Sequence, residues 1–165
     1  MPLRLLLEEE LKKKYSISFS DMKIKMDNSL MVDEFFDGTR LLGIVAPVKG
    51  YQFCWLLNQY LQIDFRINHE IEIQLDKKKR KYFFSIYEYQ EPNSARMHYL
   101  YNNQFDGEYL LPEFKHLDFL WLLKGDITSN AELLQLQQSI KPITGVQLVM
   151  ELTADKIKHK AHLIF

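Results

Sequence analysis

The sequence predicts an α+β fold. It consists of one domain over residues 30–165, built on a mainly antiparallel sheet, open to a mixed arrangement, of about six to seven strands with two principal helices. Three observations predict it. Residues 65–75 alternate strictly: Phe65, Ile67, His69, Ile71, Ile73 and Leu75 interleave with Arg66, Asn68, Glu70, Glu72 and Gln74, the period of a half-buried strand. Residues 51–61 carry Phe53, Cys54, Trp55, Leu56, Leu57, Tyr60 and Leu61, too many apolar positions for a surface helix. Between residues 65 and 107, polar turn segments separate three apolar runs, which reads as an antiparallel meander.

Composition sets the frame. A chain of 165 residues that is 47% hydrophobic and 26% charged buries a full core and is globular rather than disordered. The net charge of −1 provides no overall field toward nucleic acid or an acidic membrane. The single cysteine, Cys54, lies between Phe53 and Trp55 and reads as an inert core thiol. No apolar run reaches the length of a membrane span. The leucine-rich start runs into Glu8, Glu9 and Glu10 without a small-residue cleavage site. The expectation is a soluble cytoplasmic protein with no membrane association.

Residues 1–29 read as an N-terminal extension, a helix plus an extended arm. Leu3, Leu7 and Leu11 fall on one helical face, and Glu8–Lys12, Glu9–Lys13 and Glu10–Lys14 are i,i+4 pairs in the favourable order. Tyr15–Ser20 and Met22–Met26 alternate as short strands would. Leu30–Phe36 and Arg40–Val45 flank Asp37-Gly38, a tight-hairpin signal that predicts two paired strands. Pro47 and Gly50 break the chain before the helix at Tyr51–Leu61.

The strand over residues 65–75 turns through Asp76–Lys81 into a second at Tyr82–Tyr89. Glu91-Pro92-Asn93-Ser94 turns it again into Met97–Tyr101, closed by Asn102-Asn103. Asp106-Gly107 marks one more turn. Leu111-Pro112-Glu113 then feeds an apolar run from Leu117 to Leu123, the pattern of a central strand buried on both faces. Ser129 and Glu132 form a capping box, opening a helix that carries Leu133, Leu136 and Ile140 and stops at Lys141-Pro142. Val146–Leu152 is a last strand, Asp155–Lys160 a short helical turn, and Leu163–Phe165 an apolar end.

Three groups of residues are candidates for chemistry. Lys77, Lys78, Lys79, Arg80 and Lys81 could contact phosphates, with Tyr82, Phe83, Phe84, Tyr87 and Tyr89 stacking on bases if they faced outward. The plainer reading is a solvated hairpin loop. His159 and His162 lie one helical turn apart, but a metal needs three or four converging ligands, so no metal site is expected. Glu113 and Asp118 are the carboxylates to weigh as an acid–base pair. No nucleophile, glycine-rich phosphate loop or cofactor motif accompanies them. Pro112-Glu113 reads as the turn that aims the central strand, and Asp118 as the residue that fastens that turn.

Leu111-Pro112-Glu113…Leu117-Asp118-Phe119 resembles the signature of the IPExxxVDY family, an uncharacterised bacterial family. Pro112, Glu113 and Asp118 stand where the motif has them, whereas Leu111, Leu117 and Phe119 replace its Ile, Val and Tyr. Leu41-Leu42-Gly43-Ile44, Tyr51, Trp55-Leu56-Leu57-Asn58, Leu61 and Asp64-Phe65 resemble the family's N-terminal half, and the likeness covers residues 30–165. The resemblance implies a small protein with no assigned activity or cofactor. Phe119 lacks the motif's phenol, so a role needing that hydroxyl cannot operate here, while aromatic packing can.

The first functional expectation is a non-enzymatic interaction or regulatory protein with an unknown protein partner. Its recognition surface would lie at Pro112-Glu113, with the N-terminal helix as an accessory. The alternative is an RNA- or phosphate-binding protein using residues 77–81. An enzyme acting through Glu113 and Asp118 is the third.

Overall fold

The computed structural model describes residues 19–165, with side chains from residue 28. The expected helix at residues 1–14 lies outside the described residues, as does most of the Tyr15–Ser20 strand. The chain divides into two compact units at Asp37/Gly38. In the first, the described element is helix α1 (Phe19–Phe36). It replaces the strands expected at Met22–Met26 and Leu30–Phe36. Asp37-Gly38 is a helix terminus rather than a hairpin: Asp37 N–H reaches back to Glu34 O, and Gly38 sits at φ +64°. Both devices call for a glycine with positive φ just after the apolar run, so the dipeptide alone does not tell them apart.

The second unit, Gly38–Phe165, is α+β, as expected. Its elements are β1 (Arg40–Val45), α2 (Gly50–Leu61), β2 (Arg66–Lys77), β3 (Arg80–Gln90), β4 (Met97–Asn102), β5 (Gln104–Phe105), β6 (Glu108–Tyr109), β7 (Phe119–Lys124), α3 (Asn130–Ile140) and β8 (Leu148–Glu151). Six strands form one sheet in the order β2-β3-β4-β7-β1-β8, and every pairing is antiparallel. β5 and β6 make a separate small hairpin.

β7 is the central strand expected from its apolar run, with Phe119 to Leu123 all buried. The pleat sends Phe119, Trp121 and Leu123 toward the helices, where they join Leu42, Ile44, Leu100, Phe53, Leu57, Leu133 and Ile140 in one core. Phe119 stacks on Phe53 with ring centroids 4.4 Å apart, so the motif position serves aromatic packing.

The opposite face of the sheet carries Phe84, Ile86, Tyr101, Leu120, Leu122 and Leu41, and the chain itself covers it. Leu110, Leu111, Leu117, Leu152, Ile157 and Leu163 are all buried there. Leu117 fits over Gly43, where a Cβ would come within 2.5 Å of its Cδ1. The C-terminal residues lie along the same face: Tyr101 Oη donates to Leu163 O at 2.9 Å, and Phe165 packs on Tyr99 with centroids 4.7 Å apart. This two-sided burial is why the central strand reads as a continuous apolar run rather than an alternation.

Candidate functional site

The motif stretch contains a short 3-10 turn, Pro112–Phe114, with Pro at its start. Its fastener is Asn103, which is fully buried. Asn103 Nδ2 donates to Phe114 O and to Leu117 O, both at 2.9 Å, and its Oδ1 accepts from Leu111 N at 2.9 Å. Its backbone N–H donates to Asp118 O, and its carbonyl accepts from Leu110 N. One amide thus satisfies three backbone groups of a loop that has no ladder of its own. Read along the chain, Asn103 marks only the end of a strand. Its spacing from residues 111–117 is set by the β5–β6 hairpin that folds out between them.

Asp118 does something other than fasten this turn. Its Oδ2 accepts from Ala46 N at 2.8 Å, holding the end of β1 just before Pro47. Glu113 faces a different segment. Its Oε1 accepts from Lys158 N at 2.8 Å and His159 N at 3.0 Å, and its Oε2 takes the Nδ1 hydrogen of His159 at 2.8 Å. Burial alone would raise the Glu113 carboxyl. Its own backbone N–H, the two His159 donors and Lys158 N–H outweigh that and hold it below the usual value of 4.5. The two carboxylates are therefore committed to separate parts of the chain, Glu113 to the C-terminal segment and Asp118 to β1.

The histidine pair sits beside Glu113. His162 Nδ1 donates to Leu110 O at 2.7 Å, and the His159 and His162 rings lie 5.0 Å apart. Both Nδ1 atoms are thus engaged in tying residues 158–162 to residues 110–113. Among the described residues no group of three His, Cys, Asp or Glu side chains converges as a metal site would.

The basic run forms the β2–β3 hairpin turn, with Lys78 at φ 51 and Lys79 at φ 62, both in the left-handed region. Two of its cations are paired with the β5–β6 hairpin: Lys77 Nζ to Glu108 Oε2 at 3.0 Å, and Arg80 to Asp106. The guanidinium of Arg80 also lies over the Tyr82 ring, 5.2 Å from its centroid. The expected stacking aromatics mostly face inward. Tyr82, Phe84 and Tyr87 are buried, and Phe83 alone of the five has an exposed side chain.

Cys54 is buried and donates to Phe65 O at 3.3 Å. Burial first, and the Asp64 charge second, push its thiol up to about 11, far from thiolate chemistry at neutral pH. Asn58 holds both backbone groups of the same residue, accepting from Phe65 N at 2.7 Å and donating to Phe65 O at 3.0 Å.

A cleft of about 420 Å³ opens between α3, the segment following α2, and strands β3, β4 and β7. Leu61, Ile63, Leu123 and Leu136 form its apolar walls, and Glu91, Arg96, His98, Thr128 and Glu132 supply its polar groups. Trp121 Nε1–H donates to His98 Nδ1 at 3.0 Å. That places the imidazole hydrogen on Nε2, which reaches Glu91 Oε2 at 3.4 Å. Burial holds His98 below its ordinary value of 6.5, more strongly than Glu91 raises it, with the Arg96 charge adding to the lowering.

Arg96 links the rest of the network. Its Nη1 donates to Glu91 at 3.3 Å, and its Nη2 to Ile127 O at 2.8 Å and Glu132 at 3.2 Å. Glu132 also completes the expected capping box, accepting from Ser129 N at 2.8 Å, while Ser129 Oγ accepts from Glu132 N at 3.2 Å. Arg96 Nε and Thr128 Oγ1, on residues that line the cleft but themselves closed to solvent, have no partner among the described residues. Thr128 as a whole is buried.

None of these cleft residues stands out in the sequence as a site. Glu91 and Arg96 flank a turn, and His98 occupies an inward position of β4. Trp121 meets His98 only because the β4–β7 register pairs His98 with Leu123 and Leu100 with Trp121, setting the two side chains on a diagonal. The single legible signal is a histidine at a core-facing position of a strand.

No protein-family model matches the chain, and no curated protein matches it.

Proposed function

We propose that this chain is a non-enzymatic binding and regulatory module whose recognition site is the cleft around Arg96, His98 and Thr128. The observation that carries the reading is the convergence on one concave surface of the linked side chains Glu91, Arg96, His98 and Glu132 beside the apolar walls of Leu61, Ile63 and Leu136. The cleft also has the size and mixed lining of small-molecule sites. The recognition surface thereby moves from Pro112-Glu113, whose carboxylate is occupied by residues 158–159. The groups best suited to chemistry are likewise engaged: Cys54 by burial, Asp118 by Ala46 N, and both nitrogens of His98 by Trp121 and Glu91.

For a protein partner, α2 offers a second surface. Tyr51 and Trp55 stand one helical turn apart on one face, and both side chains are exposed. Such amphipathic aromatics dominate many interfaces. The resemblance of residues 111–119 to the IPExxxVDY signature supports membership of that family, and with it a bacterial, cytoplasmic setting. No helix among the described residues is long and apolar enough to cross a membrane.

The test uses the two tryptophans of the chain as reporters. Trp121 lines the cleft and Trp55 lies on the exposed face of α2. A fragment library screened by ¹⁵N-¹H correlation spectra of the indole N–H groups is expected to yield molecules that move Trp121 and leave Trp55 in place. A diverse library that never moves Trp121 refutes the cleft as a recognition site.

A further inference from the structure

His159 and His162 belong to one 3-10 turn: His159 precedes Lys160–Leu163 as its N-cap, and His162 N donates to His159 O at 3.0 Å. In such a turn residues three apart eclipse one another, so the two rings leave the chain on the same side. Their centroids lie 5.0 Å apart, with 32° between the planes. Two imidazoles sharing a tetrahedral zinc, at about 2.0–2.1 Å per Zn–N bond, have ring centres about 5 Å apart. The hydrogen bonds fix which nitrogen is left over. The ionised Glu113 carboxylate and the Leu110 carbonyl can only accept, so both Nδ1 atoms carry a hydrogen. In the neutral imidazole the lone pair then sits on Nε2. Neither Nε2 has a partner among the described residues, and the His159 side chain is 45% exposed. Both Nδ1 atoms turn toward residues 110–113, so both Nε2 atoms turn away from that loop. An Nδ1–H held by a carboxylate or a carbonyl is also what orients metal-binding histidines and raises their basicity. Glu113 is itself held for that task by Lys158 N and His159 N.

We propose that His159 and His162 form a two-histidine site for a divalent transition ion such as zinc, with Glu113 as its positioning residue and water completing the coordination. Two protein ligands make an open, exchangeable site rather than a closed structural one. The ion class follows from the donors and their surroundings. Imidazole suits zinc, copper and nickel, whereas magnesium and calcium take oxygen ligands. Lys156, Lys158 and Lys160 surround the pair in sequence, so charge attraction alone does not hold a hard cation here. A bound ion polarises both imidazoles and strengthens their Nδ1 hydrogen bonds. It thereby fastens the C-terminal segment, which buries Ile157 and Leu163 against the sheet, to the motif loop.

Zinc chloride is titrated into the full chain while long-range ¹⁵N-¹H spectra follow the imidazole nitrogens, with His69 and His116 as internal references. Before zinc is added, His159 and His162 are expected in the Nδ1–H form; finding the hydrogen on Nε2 overturns the site. Zinc is expected to shift both Nε2 signals together, at concentrations well below those that move His69 or His116. Magnesium chloride is expected to move none of them. His162→Gln removes one ligand and is expected to bring the His159 response up to the concentration of the references. Glu113→Gln keeps an acceptor for His159 Nδ1 but loses the carboxylate charge, and is expected to weaken zinc binding about tenfold or more. Four histidines that respond at the same zinc concentration show an adventitious ion only and overturn the proposal. Unchanged zinc affinity in Glu113→Gln overturns it too, because a flexible histidine pair does not need that carboxylate. The comparison of His159 and His162 with the reference histidines in the wild type decides the matter even where Glu113→Gln loosens the C-terminal segment.

Discussion

Asn103 offers the sharpest test of how the motif loop is held, through Asn103→Asp. The replacement has nearly the same shape and keeps an oxygen to accept from Leu111 N. It changes the other arm, which now donates to Phe114 O and Leu117 O at 2.9 Å each, into a second carboxylate oxygen facing two carbonyls. Protonated, the acid restores one of the two donated bonds, for a net loss of about 1–2 kcal/mol. Ionised, it places an unpaired charge at a position fully closed to solvent, so the folded state keeps the proton and its pKa rises. Holding that proton from an ordinary Asp value of about 3.9 up to pH 7 costs about 4 kcal/mol, at about 1.4 kcal/mol per unit. The variant is therefore expected to be about 5–6 kcal/mol less stable than wild type at pH 7 and only about 1–2 kcal/mol less stable near pH 4. A group with a raised folded-state pKa loses stability as pH rises, opposite in sign to the native acid sensitivity. Paired urea melts of wild type and variant at several pH values between 4 and 7 measure the difference directly. A gap that stays constant across this range refutes the assignment of Asn103 as a buried double donor.

Three further outcomes follow from the same geometry. Asp118→Ala strands Ala46 N–H, whose residue is fully buried. It is expected to cost about 1–3 kcal/mol, read as a drop in Tm of roughly 2–4 °C per kcal/mol; Asp118→Asn, which keeps an acceptor, should cost less. Glu113 is held below 4.5, so its contribution is complete above that value and lost as pH falls through its lowered folded-state pKa. Glu113→Gln should lower stability by about 1–2 kcal/mol at pH 7, and urea midpoints at pH 7 and pH 3 should show a smaller acid loss than wild type. His98 lies below 6.5 in the folded chain, so its contribution is present above 6.5 and lost as pH falls through its folded value. Protonation makes Nδ1 a donor and breaks the bond from Trp121, so the Trp121 indole N–H signal should titrate with a midpoint below 6.5; a midpoint above it would contradict the burial argument.

Local chemistry was legible where the cause is local. The capping box at Ser129 and Glu132, the helix over Tyr51–Leu61, a turn within Asp76–Lys81 (narrowed by the structure to Lys78-Lys79) and the meander each depend on a few neighbouring residues, and the structure has all of them. Asp37-Gly38 shows the limit of such signals. A positive-φ glycine ends a helix as readily as it turns a hairpin, and here it ends α1. The candidate site was less legible. Glu113 and Asp118 were recognisable as carboxylates worth weighing, but their partners, residues 158–159 and Ala46, lie at least 45 and 72 residues away along the chain.

By itself the sequence determined that this chain builds an α+β unit around an apolar central strand, because periodicity and turn chemistry act over a few residues. Only the tertiary structure decided which residues meet. The register of β4 on β7 brings Trp121 to His98, the β5–β6 hairpin brings Asn103 under the motif loop, and α3 carries Glu132 to Arg96. These are contacts between distant segments, set by strand pairing and packing; the first and the last build the cleft, and the second holds the motif loop.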